Sequence, residues 1–113
     1  MTTREYILNS IKKRPLIIDG ALGTQLQQRD EQIPEEAWEG NEGCNELLNV
    51  TCPEVLSEIY HAYLRAGADF ITTNTFGSFS CVLDEYNIGE RAYELSRAGA
   101  EIVKKECEKF STP

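Results

Sequence analysis

Asp19 stands directly after the apolar run Leu16-Ile17-Ile18 and directly before Gly20-Ala21-Leu22-Gly23-Thr24. A carboxylate in that place can pair with a ligand ammonium. The backbone N–H groups of a helix opening at residues 20–24 can receive a carboxylate or a phosphate. Side by side, the two features suit a zwitterion such as an amino acid. A plainer use is open to the same residues: Asp19 as a helix cap and Gly20 as a turn. Spacing alone does not separate the two uses. A second polar block, Thr73-Asn74-Thr75, follows a second apolar segment. In α/β folds ligands gather where parallel strands end, so both blocks are candidate pocket segments.

Other chemistry finds little footing. Gly20-x-x-Gly23 lacks the rest of a dinucleotide fingerprint, and no phosphate-binding lysine motif is present. With a single histidine, His61, and no Ser/His/Asp or Cys/His set, nucleophilic hydrolysis has no support. His61 reads as a surface or boundary residue. Cys44, Cys52, Cys81 and Cys107 form no Cys-x-x-Cys pair, so they read as reduced, small apolar residues and not as metal ligands or disulfide partners. Asn49-Val50-Thr51 has the form of a glycosylation site but reads as chance.

These residues need elements to place them. Thr2-x-x-Glu5 has capping-box form, and a helix follows until Pro15 ends it. Leu16-Ile17-Ile18 reads as a strand buried on both faces, and residues 21–29 as a short helix. Residues 30–50 read as a long loop crowded with glutamates, with Trp38 as its anchor to the body or as a pocket wall. Thr51-Cys52-Pro53-Glu54 opens a helix with apolar positions through Ala66 and a stop at Gly67. Asp69–Thr73 gives a second strand. Ser78 caps a short helix, and a last helix runs from about Glu90 to Glu108. Ala92, Leu95, Gly99, Ile102 and Val103 form its inner face. The alternation predicts a further strand at the C-terminal end.

The 113 residues leave room for one domain, 1–113. At 41% apolar and 27% charged the chain is globular in composition, and a net charge of −8 argues against nucleic-acid binding. No apolar run approaches the ~20 residues of a membrane span, and no secretory signal is visible, so a cytoplasmic protein is expected. The fold class expected is α/β, with parallel strands and helical crossovers. Two strands are too few for a stable parallel sheet, so the chain reads as the opening portion of a larger protein that self-associates if isolated.

Leu16-Ile17-Ile18-Asp19-Gly20-Ala21-Leu22-Gly23-Thr24, Gly43-Cys44-Asn45-Glu46-Leu47-Leu48 and Pro53-Glu54-Val55 resemble the start of the homocysteine-binding domain of cobalamin-dependent methionine synthases. So do Tyr63-Leu64-Arg65-Ala66-Gly67-Ala68-Asp69 and Thr72-Thr73-Asn74-Thr75-Phe76-Gly77. The resemblance implies the N-terminal portion of a (β/α)8 barrel, cut after the second βα unit. It implies methyl transfer to the homocysteine thiol, with zinc and cobalamin as cofactors and the remaining barrel and the folate and cobalamin modules as partners. It places Asp19 near the homocysteine amino group, Gly20 and Ala21 at the backbone that approaches the substrate, and Asn74, Thr75 and Phe76 in the same pocket. The family's zinc ligands are three cysteines on late strands, and none of the four cysteines here matches them. The chain alone is therefore expected to be inactive. A non-enzymatic oligomeric module and a betaine- or S-methylmethionine-dependent homocysteine methyltransferase are the rival readings.

Overall fold

The structure, a computed structural model, describes residues 1–110. Helix α1 (Thr3–Ile11) forms where the capping box places it. Thr2 Oγ1 accepts from the Glu5 amide at 3.1 Å, and Glu5 Oε2 accepts from the Thr2 amide at 2.8 Å. Pro15 is not what ends it: the helix stops at Ile11 with Lys12 as its C-cap. None of its residues is buried.

Beyond α1 the chain is a helical assembly. α2 (Gly23–Gln28) is followed by 3₁₀ turns at Asp30–Gln32, Glu35–Trp38 and Asn45–Leu47, then by α3 (Leu48–Thr51) and α4 (Pro53–Arg65). The expected long loop is thus a series of tight turns that carries Ile33, Ala37 and Leu47 into the interior. Trp38 packs against the core, in line with its reading as an anchor, and also lines a cavity. α4 has proline at its first position and ends before Gly67, whose φ of +109° only glycine adopts without strain. Thr51 does not cap it: Cys52 is the N-cap, and the Thr51 hydroxyl donates to the Leu47 carbonyl. α5 (Ser80–Leu83) likewise starts after Phe79 with no side-chain cap, because the Ser78 hydroxyl pairs with Ser96 instead. α6 (Ala92–Phe110) buries Leu95, Gly99 and Ile102 on the face the spacing indicates. The further strand expected at the C-terminal end falls beyond Phe110, outside the described residues.

The α/β expectation, and with it the barrel portion, is overturned. Among the described residues β pairing is confined to one isolated parallel bridge, Ile18 with Phe70. Its bonds run from Asp19 N to Phe70 O at 2.9 Å and from Phe70 N to Ile17 O at 3.1 Å. On either side a carboxylate takes the place of the next backbone carbonyl. The Ile17 amide donates to Asp69 Oδ2 at 2.9 Å, and the Thr72 amide donates to Asp19 Oδ2 at 3.0 Å. Aspartate side chains compete with secondary structure in this way, and two strands without neighbours have little to resist them. Ile17 and Ile18, expected to be doubly buried, are 57% and 60% exposed.

Two apolar clusters hold the helices together. The larger joins Leu26, Leu48, Val55, Leu56, Ile59, Tyr60 and Ile102, and the smaller joins Cys44, Leu47, Leu83 and Leu95. Helix packing, not a sheet, therefore supplies the core on which both polar blocks rest.

Candidate functional site

The two blocks meet through Asp19. Its Oδ1 accepts from the Thr72 hydroxyl at 3.1 Å while Oδ2 accepts from the Thr72 amide at 3.0 Å. Both oxygens are thereby oriented, and each keeps a lone pair for another donor. Asp19 is half-buried, so a charged ligand can reach it. It does not act as the side-chain cap of α2, whose N-cap is Leu22 and has no side-chain bond. That helix has six residues and begins at Gly23, too short and too late to make residues 20–22 an anion site.

Gly20 and Ala21 lie over α4. The Tyr63 hydroxyl donates to the Ala21 carbonyl at 2.6 Å, and a Cβ at Gly20 would sit 3.1 Å from the same hydroxyl oxygen. Gly20 and Ala21 are both exposed.

The other three expected residues are placed less uniformly. Asn74 is 3% exposed, and its side-chain amide donates to the Asn45 carbonyl at 2.8 Å and to Asn49 Oδ1 at 3.0 Å. That side chain is spent as a bracket inside the protein. Thr75 is half-buried, its hydroxyl 2.6 Å from that of Thr73. Phe76 is 99% exposed and walls no enclosed pocket among the described residues.

Sequence reasoning passed over four residues that hold this region. Thr72 orients Asp19. Tyr63 fixes Ala21. Asn49 donates to the carbonyls of Asn74 and Leu95, at 2.9 and 3.0 Å. Tyr60 is fully buried, and its hydroxyl makes no well-aligned hydrogen bond among the described residues, although the Asn74 backbone bears on it. Burial pushes the Tyr60 hydroxyl well above the usual phenol range, and the Asp19 charge adds to the rise. The two tyrosines lie one turn apart on α4, and that spacing could have marked them as a pair facing one segment.

A cavity of about 490 Å³ lies elsewhere, lined by Leu26, Ile33 and Trp38 and by Asp30, Glu35 and Glu42. None of the six expected site residues lines it. Among the described residues no group of three or more His, Cys, Asp or Glu side chains is placed to hold a metal. Cys44 and Cys52 are buried, and burial pushes both thiols up, away from the thiolate that a metal requires. In Cys52 the hydrogen bond to Glu54 adds to the rise. Cys81 is exposed on α5, and Cys107 is half-buried on α6. This donor set does not fit zinc.

Comparison with known proteins agrees with the motifs. The profile of the homocysteine S-methyltransferase family matches residues 16–113. The chain is 40% identical over 107 residues to the methionine synthase of Mycobacterium leprae and, equally, to that of Mycobacterium tuberculosis. Those matches cover 95% of this chain but only 9% of the length of each relative. On the strength of the family profile and these identities, the chain belongs to the homocysteine S-methyltransferase family.

Proposed function

We propose that this chain provides part of the homocysteine-binding surface of a cytoplasmic methionine synthase, the enzyme that methylates the homocysteine thiol. The observation that carries the reading is the oriented carboxylate of Asp19, held through both oxygens by Thr72 at the junction of the two polar blocks. An amino-acid ammonium reaching Asp19 replaces water around a carboxylate that is already aligned, so little ordering cost remains. The exposed backbone at Gly20 and Ala21 gives the substrate close approach, while Asn74 and Thr75 act by fixing the second segment. Phe76, fully exposed, offers an apolar face to the substrate's methylene carbons.

Zinc and cobalamin supply thiol activation and the methyl group in enzymes of this kind. The residues described here do not fit zinc, and these two cofactors, like the folate module, belong to other parts of the full-length enzyme. The part assigned to this chain is binding and orientation.

Asp19→Asn tests the assignment. A charge-assisted contact to the ammonium becomes a neutral one, worth roughly 1.5–3 kcal/mol less, so affinity for homocysteine should fall by about one to two decades. Calorimetric titration of the purified protein measures it. Unchanged affinity, with the fold intact by circular dichroism, would reduce Asp19 to a brace for Thr72.

A further inference from the structure

Residues 1–18 carry much of the protein's exposed apolar surface. Met1, Tyr6, Leu8, Ile11, Ile17 and Ile18 are all exposed, and α1 buries none of its nine residues. The same stretch holds Arg4, Lys12, Lys13 and Arg14 against a single acid, Glu5, in a chain whose net charge is −8. Arg14 is taken by Asp69, at 2.7 Å. Arg4, Lys12 and Lys13 make no ion pair among the described residues. Along α1 and its C-cap, Arg4, Leu8 and Lys12 lie four apart, with Ile11 beside them. Two cations therefore flank two apolar side chains on one face. An exposed apolar patch with a polar rim marks an interaction site.

The cavity of about 490 Å³ has the opposite character. Leu26, Ile33 and Trp38 give it apolar walls, and Asp30, Glu35 and Glu42 stand around it, all three exposed. None of these acids makes an ion pair among the described residues. No residue of the first eighteen lines the cavity, so α1 does not fill it in its own chain. The Arg14–Asp69 pair and the Ile18–Phe70 bridge anchor the chain just after α1 beside residues 69–70. The occupant that carries this helix to that cavity is therefore a second copy. A net charge of −8 opposes the other surface a basic helix fits, an anionic lipid bilayer.

We propose that the face of α1 bearing Arg4, Leu8, Ile11 and Lys12 docks over this cavity in a second copy of the chain. Leu8 and Ile11 meet Trp38 and Ile33, while Arg4 and Lys12 meet the carboxylates around them. The contact joins two different surfaces, so it runs head to tail and closes into a ring or extends as a filament. It leaves Asp19 and the two polar blocks free.

Charge reversal on each side tests it, read by sedimentation equilibrium at low salt. Wild type should associate at micromolar concentration. Arg4→Glu with Lys12→Glu should weaken association by roughly two decades, and so should Glu35→Lys with Glu42→Lys. All four changes together restore opposite charges with the signs exchanged, and association should return. Added salt should weaken the wild-type contact, a readout that depends on no variant. A wild type that stays monomeric, whether or not it binds anionic vesicles, would overturn the proposal. So would association that ignores salt or survives either pair of changes, or a quadruple variant that is folded by circular dichroism yet monomeric.

Discussion

Asn49 ties together three parts of the chain with one side chain. Its amide nitrogen donates to the carbonyls of Asn74 and Leu95, and its oxygen accepts from Asn74. Gly99 makes room for it: a Cβ there would lie 2.8 Å from Asn49 Nδ2 and 3.0 Å from Thr75 Cγ2. Alanine is the better helix former by about 1 kcal/mol, so propensity alone favours Gly99→Ala. Overpacking against a side chain held by three hydrogen bonds outweighs that gain, at about 1–3 kcal/mol. The variant's thermal midpoint should therefore fall, and a rise would mean that Asn49 yields freely. The sequence places Gly99 on the inner face of the last helix, and there it is buried. It gave no sign that the neighbour would be an asparagine, because Asn49 looked only like a fragment of a glycosylation motif. Asn74 was legible as a residue of the second block but not as a buried bracket. Its role depends on Asn45 and Asn49, partners that no local pattern reveals.

At the scale of elements, the longer helices were legible, while α3, the 3₁₀ turns of residues 30–47 and the strands were not. α1, α4 and α6 announce themselves through a capping box, a proline and a glycine, and an apolar stripe. All three signals act within a few residues of chain. A strand depends on what lies beside it. Leu16-Ile17-Ile18 has the composition of a buried strand, yet Asp69 and Asp19 take the amides that would extend its pairing beyond Ile18 and Phe70. Arg14 grips Asp69 with two bonds, at 2.9 and 2.7 Å. This hydrogen-bonded pair, helped by the Ile17 amide, lowers the Asp69 carboxyl to about 2 from 3.8. A depressed carboxyl contributes stability above its unfolded value and loses it as pH falls through its folded one. The Asp69 contacts should thus hold at pH 5 and loosen from about pH 4 toward 2. Amide exchange at Ile17 reports it: protection should drop over that window and be absent at every pH in Asp69→Asn. Protection that persists below pH 2 would show that the carboxylate form is not what holds the bridge.

Taken whole, the chain is drawn out, with extents of 47 × 28 × 20 Å and a radius of gyration of 15.5 Å. Roughly 13 Å is usual for a folded chain of this length. α1 buries no residue, and the bridge exposes Ile17 and Ile18, so the mass of the core sits between α4, α6 and the turns before them. The family could be read in the sequence because it rests on short blocks of residue types, such as Asp19-Gly20-Ala21 and Thr73-Asn74-Thr75-Phe76. The helical architecture could not, because it depends on which partners each segment finds. The central claim is that the two blocks form one binding surface for homocysteine. Hydrogen exchange read by mass spectrometry, with and without homocysteine, tests it most directly. The account predicts slower exchange in peptides covering residues 17–22 and 70–77 together, and loss of that protection in Asp19→Asn. Protection confined to the acidic cavity between residues 30 and 42, or absent everywhere, would contradict it.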